Sequence, residues 1–182
     1  AAAGSISDQD FIAGNDHFQN LTGSVVNQGV ITADLVGLIG KAVGNEGRIV
    51  SDRGVVMMLA GEDVMLRERG SSISVRIDGK YLDTAAGPAT GTAGVNNGSG
   101  PAAVENSGTI QARRGGITFG TGDVLGMAIR NTGNVTAEGG SVAVVAQTGR
   151  VENRGILSAS SPSGNAGSVV VQAPQVHQAG II

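Results

Sequence analysis

The sequence contains no cysteine and no tryptophan, and only four of its 182 residues are proline. The lack of cysteine excludes structural disulfides and metal sites built on thiolates. No apolar run approaches the roughly 18 residues that a membrane-spanning helix requires, so we expect no membrane span. The formal net charge of −3 favours neither a nucleic acid nor an anionic membrane surface as a partner.

Aromatic side chains are almost as scarce, because Phe11, Phe18, Tyr81 and Phe119 are the only ones. The core must therefore be filled by small aliphatic residues rather than by rings. Glycine, by contrast, accounts for 31 residues, more than twice its usual share of about 7%. The apolar fraction of 40% is still high enough to exclude a disordered chain.

A unit of the form Asn-x-Gly-x-Ile/Val/Leu-x-Ala/Ser recurs five times, with starts 18, 61, 25 and 22 residues apart. Its Asn and Gly residues are Asn27 and Gly29, Asn45 and Gly47, Asn106 and Gly108, Asn131 and Gly133, and Asn153 and Gly155. Glycine permits a sharp corner, and asparagines at equivalent corners can stack into a ladder of amide hydrogen bonds. We therefore assign these ten residues a structural role at the corners of a stacked repeat.

A second apolar stretch follows each unit, as Val142–Ala146 follows the fourth, and a shorter third stretch often comes next. Apolar and polar residues alternate within the stretches, which is the period of a β-strand, and none has helical spacing over a useful length. Three short strands per 18 to 25 residues are typical of a parallel β-helix, whose coils stack about 4.8 Å apart. The predicted fold class is all-β, a parallel β-helix (solenoid) with three short strands per coil.

The 61-residue interval between Asn45 and Asn106 breaks this rhythm. We expect it to contain at least one further coil and an insertion, and Ser72–Ile77 alternates as a strand does. Residues 83–103 consist mainly of small and polar residues, so we expect one long loop there that projects from the β-helix. Residues 160–167 predict a shorter loop of the same kind.

We expect a single domain over residues 1–182, with an N-terminal entry segment over 1–24. The stretches Ile6–Gly14 (ISDQDFIAG) and Gly23–Ala33 (GSVVNQGVITA) closely resemble the filamentous-haemagglutinin-type exoproteins of two-partner secretion. Gly54–Gly61 (GVVMMLAG) continues the resemblance.

This resemblance implies a right-handed β-helix that a dedicated outer-membrane β-barrel transporter exports from a Gram-negative bacterium. The protein would then be secreted or held at the cell surface. Members of the family serve as adhesins or surface filaments, among other roles, so host, glycan or self contacts are the partners that the resemblance implies.

Parallel β-helices also carry polysaccharide-active enzymes, which need carboxylates that converge on one face. Glu46, Asp52 and the pair Glu62–Asp63 are close enough in sequence to lie on adjacent coils. Sugar clefts also use stacking aromatic residues, which are nearly absent here. Solvated corners are therefore the favoured interpretation of these acids, and we predict no catalytic residue.

Asp8, Asp10 and Asp16 alternate somewhat as calcium ligands do, but the stretch lacks the glycine and terminal glutamate of an EF-hand. The family resemblance favours a structural role for Asp8 and Asp10 at a corner or cap, with metal binding as the alternative. His17 and His177 lie far apart in sequence and neither has a partner at ligand spacing. We predict no metal site and no cofactor.

The repeat runs close to both ends of the sequence, and neither end resembles a polar capping repeat. The favoured function is a secreted structural or adhesive protein that presents loops such as 83–101 to a partner. An alternative is a subunit of an extracellular filament or matrix fibre, a head-to-tail homopolymer formed by stacking of open ends. A polysaccharide-active enzyme is the third possibility.

Overall fold

A computed structural model describes residues 1–69, 72–82, 101–122, 126–161 and 167–182 of the chain. Within these residues the protein consists of β-strands and one short helix, α1 (Asp8–Ala13). No helix in the described ranges is long or apolar enough to cross a bilayer.

Most strands belong to three parallel sheets, which we number in the order in which the chain enters them. Sheet 1 contains β2 (Ser24–Asn27), β5 (Ala42–Asn45), β11 (Val104–Asn106), β14 (Met127–Asn131), β17 (Arg150–Asn153) and β20 (Gln175–Gln178). Sheet 2 contains β3 (Val30–Thr32), β6 (Arg48–Ser51), β12 (Thr109–Arg113), β15 (Asn134–Glu138) and β18 (Ile156–Ser158). Sheet 3 contains β4 (Leu35–Gly40), β7 (Val55–Ala60), β13 (Ile117–Thr121), β16 (Ser141–Ala146) and β19 (Ser168–Gln172).

The chain passes through the three sheets in the same order each time, and we call each such set of strands a layer. Layer 1 is β2–β4, layer 2 is β5–β7, layer 3 is β11–β13, layer 4 is β14–β16 and layer 5 is β17–β19. Strand β20 begins layer 6, which continues on sheet 2 where Ile181 bridges Ile156 in parallel. The all-β class with parallel sheets of stacked strands is thus confirmed.

Equivalent residues of successive layers lie opposite one another. On sheet 2 the register aligns Ile31, Ile49, Ile110, Val135 and Leu157, and on sheet 3 it aligns Val36, Val56, Ile117, Val142 and Val169. These apolar columns face one another and form the main core, together with Phe119 as its largest side chain. The alternation of apolar and polar residues therefore sorts each strand into a buried face and an outer face.

A fourth sheet is antiparallel and contains β1 (Asp16–Phe18), β8 (Val64–Arg69), β9 (Ser72–Ile77) and β10 (Lys80–Tyr81). Its apolar residues, among them Val64 and Ile77, pack with Ile39, Met57 and Leu59 of sheet 3 in a second cluster. Strands β4 and β7 are therefore covered on both faces, which explains their nearly continuous apolar sequences.

The expectation of a hidden coil between Asn45 and Asn106 is wrong. Strand β5 pairs directly with β11, and Asn45 lies opposite Asn106, so no layer intervenes. The strand predicted at Ser72–Ile77 is confirmed, but it pairs antiparallel with β8 in sheet 4. The alternating pattern identified a strand, but a period of two carries no information about the direction of its partner.

The predicted loop over 83–103 lies outside the described residues as far as residue 100. Its last residues already belong to the stack, because the Val43 amide donates to the Ala103 carbonyl at 2.8 Å and Ala102 is buried. Of the loop predicted over 160–167, residues 162–166 lie outside the described part of the chain.

Helix α1 was not expected from the apolar spacing. Its ends explain it: the Ser7 hydroxyl accepts a hydrogen bond from the Asp10 amide at 3.0 Å, and Gly14 ends the helix with a φ of 68°. None of the helical residues is buried. Capping rather than an apolar face therefore defines this helix, and hydrophobic periodicity could not have predicted it.

We expect the substitution Phe119→Ala to lower the free energy of unfolding by about 3–5 kcal/mol, because it opens a cavity in the main core. Phe11→Ala is the matched control, since that ring is 73% exposed and its loss should change stability by no more than about 0.5 kcal/mol. Urea unfolding followed by circular dichroism measures both. Equal effects of the two substitutions would contradict the assigned core.

Candidate functional site

The five predicted asparagines form one column at the ends of the sheet 1 strands, where the chain turns toward sheet 2. Asn45, Asn106, Asn131 and Asn153 are at most 2% exposed, and Asn27 at the start of the column is 8% exposed. The structure therefore brings together the residues that the repeat singled out, and it encloses their amide groups.

The side-chain amides bond from layer to layer in a single direction. Each Nδ2 donates to the Oδ1 of the next asparagine, at 2.8, 2.8, 2.7 and 2.8 Å from Asn27 to Asn153. The same Nδ2 of Asn106 also lies 3.4 Å from the Gly108 carbonyl, and this contact repeats along the column. Buried polar groups are costly unless they are hydrogen-bonded, and here each amide satisfies the next.

A sixth member of the column is Gln178, which the asparagine pattern missed. The Asn153 Nδ2 donates to the Gln178 Oε1 at 3.1 Å, and Gln178 lies opposite Asn153 in the register. Gly180, two residues later, repeats the position of Gly155. Gln178-Ala179-Gly180 has the same spacing as the Asn-x-Gly units. A search for either asparagine or glutamine followed by x-Gly would have identified this sixth member.

Four of the five glycines of the unit are required for a reason other than the one predicted. None of Gly29, Gly47, Gly108, Gly133 and Gly155 has a positive φ, so the corner needs no special backbone conformation. A Cβ at Gly47, Gly108, Gly133, Gly155 or Gly180 would instead overlap the carbonyl oxygen of the corresponding glycine in the preceding layer. Close approach of stacked backbones thus excludes a side chain.

A second glycine column marks the corner between sheets 2 and 3. A Cβ at Gly54 would overlap the Asp34 carbonyl, and Gly115, Gly140 and Gly167 each face the carbonyl of the previous member in the same way. These are the glycines that precede the second apolar stretches in the sequence. Layer 1 carries Asp34, an exposed residue, at this position.

Charged residues on the outer face of sheet 1 converge on Glu152, whose side chain is only 5% exposed. Its Oε1 accepts from the Arg154 Nε at 2.8 Å and lies 3.4 Å from the Arg150 Nη2, and its Oε2 accepts from the Arg130 Nε at 3.3 Å. Burial would raise the pKa of Glu152, but the hydrogen bonds from Arg154 and Arg130 and the positive charges outweigh it, so the pKa lies below its ordinary value.

The aspartates considered as calcium ligands do not converge. Among the described residues, no group of three or more His, Asp or Glu side chains is arranged to hold a metal ion. Asp10 instead accepts hydrogen bonds from the Ser7 hydroxyl at 2.7 Å and the Asn15 amide at 3.2 Å, and these hold the pKa of its carboxyl below the ordinary value. Its Oδ2 also lies 3.4 Å from the His17 Nδ1.

The acids considered for catalysis lie at different corners and each has a partner. Glu46 accepts from Gln28 at 2.9 Å, and Asp52 lies 3.8 Å from Arg113. Glu62 pairs with Lys41, and Asp63 lies 2.7 Å from the His17 Nε2. His17 thus links α1, β1 and the turn before β8, while His177 lies opposite Glu152 on β20.

We expect Asn106→Ala to lower the free energy of unfolding by about 3 kcal/mol, because it leaves the Asn45 Nδ2 and the Asn131 Oδ1 buried without their partner. Asn27→Ala should cost only about 1 kcal/mol, since Asn27 bonds to a single neighbouring layer. Denaturant titrations give both values. A cost for Asn106→Ala no larger than that for Asn27→Ala would rule out a continuous column as a stabilising element.

Stability should also depend on the ionisation of Glu152. Its folded pKa is depressed, so its contribution is complete above the unfolded value of about 4.3 and is lost as the pH falls through the folded pKa. We expect Glu152→Gln to cost about 2 kcal/mol at pH 7 and to flatten the acid limb of the stability curve.

Glu105→Gln is the matched control for Glu152→Gln. Glu105 lies 3.6 Å from the same Arg130 but is 41% exposed, so its loss should cost less than about 1 kcal/mol. Unfolding measured from pH 3 to pH 7 compares the two variants. A Glu152→Gln curve parallel to that of the unsubstituted chain would show that this carboxylate does not control acid stability.

Comparison of the chain with protein-family models, with curated proteins and with solved structures found no match. The function must therefore be argued from the stacked layers, the amide column and the paired charges of the chain itself.

Proposed function

We propose that this chain is a right-handed parallel β-helix with three short strands per coil, and that it serves as a non-catalytic structural or adhesive part of a secreted or cell-surface protein. The ordered passage through sheets 1, 2 and 3 supports the coil of three strands. Right-handedness follows from the strong preference of parallel β crossover connections for that hand.

The observation that carries the proposal is the buried column from Asn27 to Gln178. Every layer donates a side-chain hydrogen bond to the next, in addition to the backbone bonds between strands. Separation of any two layers would expose both sets of bonds at once. Such a stack resists bending and local opening, which are the properties that an extended scaffold outside the cell requires.

The filamentous-haemagglutinin type remains the favoured class within this proposal. The residues that carry the resemblance, Ile6–Gly14 and Gly23–Ala33, include α1 with its C-terminal cap, strands β2 and β3 and the first corner of the stack. By this resemblance, a β-barrel transporter of the outer membrane would export the chain, and its partners would be host surfaces, glycans or other copies.

The two carboxyl groups with a shifted pKa, those of Asp10 and Glu152, are not suited to general acid catalysis. A general acid at neutral pH needs a raised pKa, yet the pKa values of Asp10 and Glu152 are both lowered. Glu152 is held by three arginines, and Asp10 by Ser7, Asn15 and His17. These groups are used to hold the fold together rather than to react with a substrate.

A second candidate function is a subunit of an extracellular filament or matrix fibre. It is favoured by the outer edges of β2 and β3 at one end and of β20 at the other, which pair with no further strand in the described part of the chain. An edge of this kind is a template for another strand.

Cell fractionation of the producing organism tests the location. An antibody against the chain should label intact cells or the culture medium, and external protease should remove the cell-bound signal. Detection only after cell lysis would contradict a surface or secreted scaffold.

A glycan array combined with a turnover assay separates adhesion from catalysis. An adhesive protein should retain glycans without forming products, whereas an enzyme should convert the glycans that it retains.

A further inference from the structure

A groove of about 400 Å³ follows the corner between sheets 2 and 3. The four members of the second glycine column line it, and a Cβ at any of them would overlap a carbonyl of the preceding layer. No side chain at these positions can fill the groove, so it is a permanent feature of the stack. The polar side chains that line it are those of Arg53, Arg114, Ser141 and Ser168.

The two arginines of this groove lie next to each other without a partner. Arg53 directly precedes the glycine of layer 2 and Arg114 that of layer 3, so the two residues are counterparts in adjacent layers. Both are exposed, and neither side chain forms an ion pair or a hydrogen bond with a residue that the structure describes. Like charges on counterpart residues repel each other, so an anion bound to both is stabilising.

The other charges of this corner do not neutralise the pair. Arg113 uses two acids, because its Nη1 lies 3.8 Å from the Asp52 Oδ1 and its Nε lies 3.7 Å from the Glu138 Oε2. Asp34, at the same corner of layer 1, forms an ion pair with neither arginine of the groove. Both guanidinium groups are therefore available to an anion from outside the chain.

Arg114 occupies a backbone position that suits glycine better. Its φ is 61°, in the left-handed region that is unfavourable for residues with a Cβ, and its counterpart in layer 4 is Gly139, with a φ of 72°. The Arg114 amide donates to the Glu138 carbonyl at 2.9 Å, which holds this conformation. Glycine would meet the needs of the fold here, so the arginine side chain requires another explanation, and the groove supplies one.

We propose that the groove binds an acidic polysaccharide, with successive carboxylates of a uronic-acid chain on Arg53 and Arg114. A planar guanidinium group binds a carboxylate through two parallel hydrogen bonds. Adjacent layers lie about 4.8 Å apart, so a chain that runs along the stack with one carboxylate per sugar meets one arginine per layer. Ser141 and Ser168 continue the groove into layers 4 and 5, where their hydroxyls bond to sugar hydroxyls. The proposal names a ligand for the extracellular scaffold proposed above and rests on it.

The lining of the groove favours an acidic sugar over other partners. None of the described residues that line it is aromatic, so a neutral sugar would find no ring to stack on and charge must provide the affinity. Val55 is the only large apolar side chain among them, which is too little to anchor a protein partner. A polynucleotide needs an extended basic surface, and this chain has a net charge of −3.

Isothermal titration calorimetry with oligogalacturonate tests the groove on the 182-residue chain. The oligomer should bind, and its fully methyl-esterified form, which has the same sugars without the charges, should not. The double substitution Arg53→Gln and Arg114→Gln should weaken binding by at least about tenfold, because it removes both charge-assisted contacts.

Arg48→Gln is the matched control for the double substitution. Arg48 is also exposed and has no ion pair in the described part of the chain. It lies at the start of β6, however, and does not line the groove. Its replacement should leave the binding of oligogalacturonate unchanged.

Arg114→Gly separates binding from folding. It should weaken the binding of oligogalacturonate without lowering the melting temperature, because glycine adopts the left-handed conformation without strain. An unchanged affinity would show that Arg114 does not contact the ligand, and the proposal would be wrong.

Three further results would overturn the proposal: no binding of oligogalacturonate, equal affinity for the esterified oligomer, or a double variant that binds as tightly as the unsubstituted chain. Cell fractionation separates this failure from that of the proposed function. A chain at the cell surface that does not bind oligogalacturonate rejects only the groove. A chain detected only after lysis rejects the extracellular scaffold, whatever the purified chain binds.

Discussion

The backbone hydrogen bond between neighbouring layers is the constraint on which the rest of this structure depends. Parallel strands lie about 4.8 Å apart, so each residue lies next to its counterpart in the next layer. Amide side chains must therefore hydrogen-bond to amides in the next layer, and aliphatic side chains must pack on aliphatic ones. At each corner, the backbone must leave room for the carbonyl of the neighbouring layer. This spacing explains why residues of one kind form columns. The asparagines, the apolar residues and the glycines at both corners each stack on residues of the same kind.

Features that repeat could be predicted from the sequence. Each layer makes the same contacts with its neighbours, so the same residue types recur in each unit. The five Asn-x-Gly units located the column, and the alternating stretches located the strands of sheet 3. The sequence could not predict the pairing in sheet 4, because β8 pairs with β1 and β9, and β9 with β8 and β10, rather than with counterparts in other layers. It also gave the wrong reason for the glycines, since crowding by a neighbouring layer has no signature in a single unit.

Other differences between the structure and the sequence predictions also have local causes. Gln178 differs from asparagine by one methylene group and still reaches the column, so identity of residue type was too strict a criterion. Helix α1 depends on Ser7 and Gly14 at its ends and buries none of its own residues. The prediction of a further coil between Asn45 and Asn106 is based only on the length of the 61-residue interval, which exceeds two coil lengths. Sequence distance does not measure the number of layers when a separate sheet is inserted between two of them.

That insertion has a consequence for how the chain folds. The hydrogen bond from Asn45 to Asn106 closes an interval of 61 residues, whereas the next two column bonds close 25 and 22. Chain closure over the longer interval costs about 1 kcal/mol more in entropy, because that cost grows with the logarithm of loop length. Contacts that are distant in sequence also form slowly. We therefore expect the step between layers 2 and 3 to form late, after the shorter intervals within layers 1 and 2 and within layers 3 to 5 have closed.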